Sequence, residues 1–460
     1  MSHRIEQDSM GEVRVPVDAL FGAQTQRALD NFGLTDRVLP REFIACLAQL
    51  KSAAAQANLE CEVLDDKRAA AISNAARQVA AGQHEGQFPL SIFQTGSGTS
   101  SNMNMNEVLA NLAASALGMA VHPNDHVNCS QSSNDVIPSA IQVTAMTRLV
   151  QALLPALNEL IATISQRSQA LHNTTKTGRT HLMDAMPLTF GQELSAWVCQ
   201  LQECEQRFTQ AQARLRKLPM GGSAVGTGVN VPSGFAERLV AQLSSATGLA
   251  FEVAPNAFSR MAGQDVALEC SACLRALAVV LTKINNDLRW MASGPLAGLA
   301  EIELQALQPG SSIMPGKVNP VLPEAVLMAA AEVAGNDASI AMAAQSGNFQ
   351  LNVMLPLIAE KLCASFSVLT WGCLATAKTV AGFSVNTENI ERTLARNPIL
   401  VTALNSRLGY EAAAAIAKRA YAQKRPILDV AVEETALSRE ELQRLLDPIE
   451  LAQGGPGAEH

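Results

Sequence analysis

Between Ser132 and Ile164 the chain reads SSNDVIPSAIQVTAMTRLVQALLPALNELIATI. Ile137, Ile141, Met146, Leu149, Leu153, Leu157, Leu160 and Ile164 recur at three- to five-residue steps, the period of one helical face. Ser132, Asn134 and Asp135 carry short side chains that accept from the free amides of a helix start, and Pro138 is tolerated in an opening turn. The pattern predicts a helix of more than about thirty residues, with Pro155 as its point of bending.

The same period recurs on the C-terminal side. Leu194, Trp197, Leu201, Phe208 and Leu215 mark a second long helix, and Val266, Cys270, Leu274, Leu277, Leu281, Ile284, Leu288 and Met291 a third. Two more are expected over 324–344 and 351–380. Before Ser132 the chain is mixed: an extended polar start, then helical stretches near 43–59, 65–81 and 105–117. After Asn386 comes a compact, more charged tail whose end, Gly454, Gly455 and Pro456, is expected to fray. The reading is an all-α chain divided into 1–131, 132–388 and 389–460. Helices of about 30 residues run to roughly 45 Å, longer than a compact monomeric domain needs. Val279 and Val280, or Ala329 to Ala331, make them apolar on more than one face, so part of that surface is expected to lie between subunits.

Composition agrees. The 460 residues are 48% hydrophobic but only 4% aromatic, so the apolar content is mainly Ala, Leu, Val and Met, which pack helices closely. A net charge of -8 without a Lys or Arg cluster leaves no electrostatic footprint for nucleic acid. The nine scattered cysteines suit reduced thiols better than a disulfide framework. Residues 1–16 are charged throughout and lack the apolar stretch of a signal peptide. No uninterrupted apolar run reaches the roughly 18 residues of a membrane span, so no membrane role and a cytoplasmic location are expected.

The segments between the helices carry the polar chemistry. In Gly310–Pro320, GSSIMPGKVNP, the prolines fix φ and remove amide donors while the glycines permit bends. Ser311, Ser312, Lys317 and Asn319 are thereby left for a ligand, and two hydroxyls, a cation and an amide suit a small anion. Phe93–Asn102, FQTGSGTSSN, opens the helix containing Glu107, and either caps it or offers its free amides to an anion. It lacks the Gly-Lys-Ser/Thr of a P-loop. Gln131–Asp135 is open to the same two readings, which are compatible. In Gly178–Asp184, GRTHLMD, His181 is either a structural histidine or a proton handler near neutral pH.

Other candidates fail. His122 to His126, HPNDH, has no second cluster at zinc-like spacing, and Cys270 and Cys273 fall in a helical core pattern. The glycine-rich run Gly221 to Gly228 follows a helix rather than a strand, unlike a dinucleotide-binding turn. No metal or nucleotide cofactor is implied. Four polar loops at the ends of long helices, without a nucleophile-base-acid triad, make an inventory that binds dianions and moves protons.

Those four segments, in that order, resemble the class II fumarase and aspartase superfamily over nearly the whole chain, as do Arg4–Asp8 and Gly22–Arg27 at its start. The resemblance implies three domains, a central bundle of five long helices and a homotetramer with active sites shared among three subunits. It implies that Ser97, Thr99, Ser132, Ser133, Asn134, Lys317 and Asn319 hold the carboxylates of a four-carbon dicarboxylate. Thr180 and His181 would enter from another subunit, Glu324 would pair with His181, and Ser311 would remove the C3 proton. A second anion site would lie near His122, Asn124 and Asp125.

Gly96-Ser97-Gly98-Thr99, Ser132-Ser133-Asn134 and Pro315-Gly316-Lys317 take the fumarase form, where aspartases tend to show Gly-Ala-Gly-Thr, Ser-Thr-Asn and Pro-Ala-Lys. Val321-Leu-Pro323 and Glu301-Ile-Glu-Leu look closer to aspartases. Substrate-contacting residues decide specificity, so the expected reaction is reversible hydration of fumarate to malate. The alternatives are release of ammonia from aspartate or a non-catalytic structural role of the crystallin kind. Leu112 and Leu296 stand where arginine is usual, and His126 where aspartate is common.

Overall fold

A computed structural model describes residues 2–34 and 37–454; of the end expected to fray, Gly455 and Pro456 lie outside them. Among the described residues two longer hairpins, β1 (His3–Asp8) with β2 (Gly11–Pro16) and β3 (Thr175–Thr180) with β4 (Met183–Thr189), and three pairings of two-residue strands interrupt a mainly helical chain. The principal helices are α1 (Ala23–Asn31), α2 (Arg41–Glu60), α3 (Asp66–Ala80), α4 (Thr99–Leu117), α5 (Ser133–Arg148), α6 (Leu154–Ala170), α7 (Phe190–Leu215), α8 (Phe235–Thr247), α9 (Ala257–Ala262), α10 (Asp265–Met291), α11 (Val321–Ala344) and α12 (Leu355–Gly382). Short helices follow from Thr387 onward. Among the described residues no sheet has more than two strands.

The helix announced by the opening pattern runs from Ser133 to Ala170, with a π turn at Leu149–Leu153 in place of a sharp bend. Pro155 has no amide for the carbonyl of Gln151, and the widened turn before it lets the Leu154 amide reach Leu149 O. α11 starts three residues earlier than its apolar pattern, because Pro323 fits the first turn where no amide is needed. α12 starts later, since Leu351–Asn352 pairs as a strand with Gly347–Asn348.

The chain forms two compact units. The first comprises Met1–Pro155, Cys204–Ala278 and Ala329–Thr370. Here Arg4 donates to the carbonyls of Pro16, Val17, Ala19 and Phe21 at 2.7–3.1 Å, fixing the path that leaves the first hairpin. Arg27 of α1 pairs with Asp8 of β1 at 2.7 Å. Gly22 has no side chain with which to cap α1, and the carboxylate of Glu107 on α4 does so instead, accepting from the amides of Gly22, Gln24 and Thr25 and from the Thr25 hydroxyl. Ser271 of α10 donates to Asp337 of α11 at 2.7 Å, and Asn336 of α11 to Ser365 of α12 at 3.2 Å. All four are buried, so these bonds fix the helices' register, and leaving one partner unpaired would cost about 1–3 kcal/mol.

The second unit comprises Ala156–Glu203, Val279–Met328 and Trp371–His460. Buried Asn285 of α10 bonds Thr376 of α12 at 2.9 Å. The C-terminal segment has its own apolar cluster, including Leu394, Leu404, Ile416, Ile427, Val430 and Leu442. In this unit Val279 of α10 and Met328 of α11 are 64% and 69% exposed, and Trp290 of α10 and Trp371 and Leu374 of α12 are exposed as well.

Two stretches, Ser133–Ala170 and Leu355–Gly382, are long and apolar enough to cross a membrane by length and composition, although each is broken up by polar residues. The protein itself buries 61% and 50% of their apolar windows, as it does for core helices. All nine cysteines are free thiols.

Candidate active site

In the first unit three irregular segments surround the N-terminus of α5. Ser132 caps this helix: its Oγ accepts from the Asn134 amide at 3.2 Å, while Asp135 Oδ1 accepts from the Ser132 amide at 2.9 Å. The other oxygen of Asp135 accepts from the amides of Ser223 and Gly221, at 2.8 and 3.2 Å. Burial pushes the Asp135 carboxyl up to about 6, against these donors and the nearby Lys51 charge, which lower it. The Asn134 side-chain amide donates to Ala224 O at 2.8 Å. The glycine-rich run 221–228, which sequence reading set aside, is therefore the brace of the Ser132–Asn134 loop.

Ser133 Oγ accepts from Asn102 of α4 at 3.0 Å, so its own O–H remains free to donate to an anion. Ser97 and Thr99, in the loop opening α4, share a hydrogen bond of 2.8 Å between hydroxyls. That loop is held by close packing, since Leu355 N donates to Gly96 O and a Cβ on Gly96 would fall 1.8 Å from Val353 O.

Beneath these loops lies Lys51 of α2, which is 0% exposed. Its ammonium donates to Asn128 Oδ1 at 2.9 Å and Gln131 Oε1 at 3.0 Å. Burial draws it down to about 7. Nothing in the sequence marks it, for a lysine on an alanine-rich helix reads as a solvated face.

His122 and Asn124 line a cavity of about 380 Å³ in the same unit. His122 Nδ1 accepts from the amides of Asn124 and Asp125, and lies 3.3 Å from Asp125 Oδ2. The cavity is also lined by the carboxylates of Glu6, Asp8 and Glu107, each engaged by the donors described above or by Arg4.

In the second unit Thr180 and His181 stand on a hairpin rather than a simple loop. His181 and Leu182 form its two-residue tip, with φ of 56° and 61°, the left-handed geometry that suits the twist of a tight hairpin. Both are exposed. The hairpin is anchored by Lys176, 2% exposed, whose ammonium lies 2.8 Å from both Glu193 of α7 and Glu301, and 4.8 Å from the Phe190 ring centroid. Arg179 reaches the other oxygen of Glu301 at 2.8 Å.

The segment 310–320 is irregular, as expected. Ser311 Oγ accepts from the amides of Ile313 and Met314, at 3.2 and 3.1 Å. Asn319 donates its side-chain amide to Gly310 O, which closes the base of the loop. Lys317 is exposed. Glu324, in the first turn of α11, is exposed and forms no ion pair with His181 of its own chain among the described residues. Leu296, at a position where arginine was expected, is 97% exposed, and Leu112 is half-buried.

The family described as Lyase matches residues 11–335, and that described as Fumarase C C-terminus matches 400–453. A class II fumarate hydratase of Xylella fastidiosa is 54% identical over 98% of this chain and 96% of its own length. One from Pseudomonas aeruginosa is 53% identical over 98% and 99%. The crystal structure of a class II fumarase from Schistosoma mansoni superposes with a TM-score of 0.94 at 37% identity, covering 98% of this chain and 99% of that one. With the lyase match, this full-length identity and the shared helical fold, the chain belongs to the class II fumarate hydratase family of lyases.

Proposed function

We propose that this protein is a fumarate hydratase that reversibly adds water to fumarate, giving L-malate through an aci-carboxylate intermediate. Full-length relatives of that name support the reaction, and the two amides aimed at Ser311 Oγ are the observation that carries the chemistry. A proton beside a carboxylate is barely acidic, so the enzyme must provide both a strong base and donors for the extra negative charge. A serine hydroxyl is a poor base in water. Two amide donors, with the Lys317 cation carried on the same loop, favour its alkoxide.

In the dehydration direction Ser311 takes the C3 proton of malate, the electron pair left on C3 forms the C2–C3 double bond as the C2–O bond breaks, and His181 donates the proton with which the hydroxyl departs as water. The free O–H of Ser133, the hydroxyls of Ser97 and Thr99, and Ser132, Asn134, Thr180, Lys317 and Asn319 hold the two carboxylates. Asn319 has a prior task in closing its loop, which uses one N–H of its side-chain amide and leaves the second to donate to a carboxylate. The apolar side chains exposed on α10, α11 and α12 support assembly as a homotetramer, with His181 and Glu324 meeting across protomers.

The test is to incubate purified protein with fumarate and follow loss of the conjugated double bond. Consumption without ammonium is expected; consumption only with ammonium would make the enzyme an ammonia-lyase. Ser311→Ala is expected to lower kcat by about 10²- to 10⁴-fold, the usual contribution of a general base.

A further inference from the structure

Among the described residues two lysines are buried almost completely, and their surroundings differ. Lys176 lies between two carboxylates, Glu193 and Glu301. Lys51 has only neutral amide oxygens, and no carboxylate among the described residues reaches ion-pair distance. An ammonium so placed is strongly disfavoured unless something compensates its charge.

The network around it leads to the anion-binding loop. Asn128 Oδ1 accepts from Lys51 Nζ at 2.9 Å and from the amides of Asn102 and Asn106 at 3.1 Å each. The same Asn102 amide bonds Ser133 Oγ at 3.0 Å. Gln131, the second partner of Lys51, is the residue before the Ser132–Asn134 loop and donates to the carbonyls of Val127 and Cys129. The ammonium is thus linked to the Ser133 hydroxyl through two side chains, Asn128 and Asn102. Asp135 of α5 is the charged group that acts on it, and its oxygens are taken by the amides of Ser132, Gly221 and Ser223. α4 presents the amides of Asn102 and Asn106, and the 127–131 segment those of Asn128 and Gln131.

We propose that Lys51 is a positioning residue for the dicarboxylate, whose negative charge is the counter-ion that the buried ammonium lacks. The inference rests on the fumarate hydratase reading. In the empty protein burial lowers the Lys51 proton affinity, to about 7. A dianion seated over Ser133 restores it, so binding above neutral pH draws a proton into the protein.

The experiment is calorimetric titration with succinate, a saturated four-carbon dicarboxylate, at about pH 8 in buffers of different ionisation heat, where Asp135 is already ionised. Wild type is expected to take up a substantial fraction of a proton. Lys51→Met is expected to lose that uptake, to bind succinate about tenfold more weakly, and to raise KM more than it lowers kcat. Equal affinity and undiminished uptake in Lys51→Met would overturn the proposal. Should that variant fail to fold, wild type alone decides, because succinate binding without proton uptake overturns it equally. Wild type that neither hydrates fumarate nor binds succinate would instead remove the reading on which the proposal rests.

Discussion

At Gly310 a methyl group has no room: a Cβ there would lie 1.9 Å from Lys317 O and 3.1 Å from Asn319 N. The loop closes on itself at this point, so Gly310→Ala should force apart the two ends that carry Ser311 and Lys317. We expect kcat to fall by about tenfold or more while the thermal midpoint stays within a few degrees, checked by steady-state kinetics beside a melting curve. Lys51 makes a prediction of a different kind. The folded chain releases its proton near 7 and the unfolded chain near 10.5, so between those values the unfolded state holds more protons and stability rises with pH. Asp135 acts in the opposite sense in a separate window: between 3.8 and about 6 the folded state holds more protons, and stability falls as pH rises. Lys51→Met should abolish the first slope and raise stability below neutral pH. Urea unfolding of both proteins at about pH 7 and about pH 9 would show it.

Among elements, the β3–β4 hairpin depends on one buried cluster. Replacing Lys176 by Met leaves Glu301, with its side chain 4% exposed, to Arg179 alone, and should destabilise the protein by about 1–3 kcal/mol, a loss measurable as a lowered thermal midpoint. The hairpin shows where sequence reading stopped. The long helices were legible because Leu, Ile and Val recur on one face for many turns, from Ile137 to Ile164 and from Val266 to Met291. Thr175–Thr189 has no such signal: its strands carry Thr, Lys, Arg and Asp, and its turn is His-Leu instead of the usual glycine pair. Of the site, the polar loops were visible as loops, and Ser132 was visible as a cap. Lys51, Asn102, Asn128 and Glu107 were not, because each acts through residues distant in sequence, and a single lysine or asparagine on a helix carries no mark of being buried.

For the whole molecule, the proposed homotetramer would make the exposed Val279 and Trp371 interior surfaces. Changing both to Glu is expected to give smaller species in sedimentation, with helical circular dichroism retained and fumarate hydration lost. The exposed tip at His181 carries a further consequence. If each pocket takes its imidazole from one polypeptide and its serine from another, two crippled variants need not be crippled together. Mixing His181→Asn with Ser311→Ala under conditions that let protomers exchange would assemble about one pocket in four from intact parts, so two inactive preparations would revive each other.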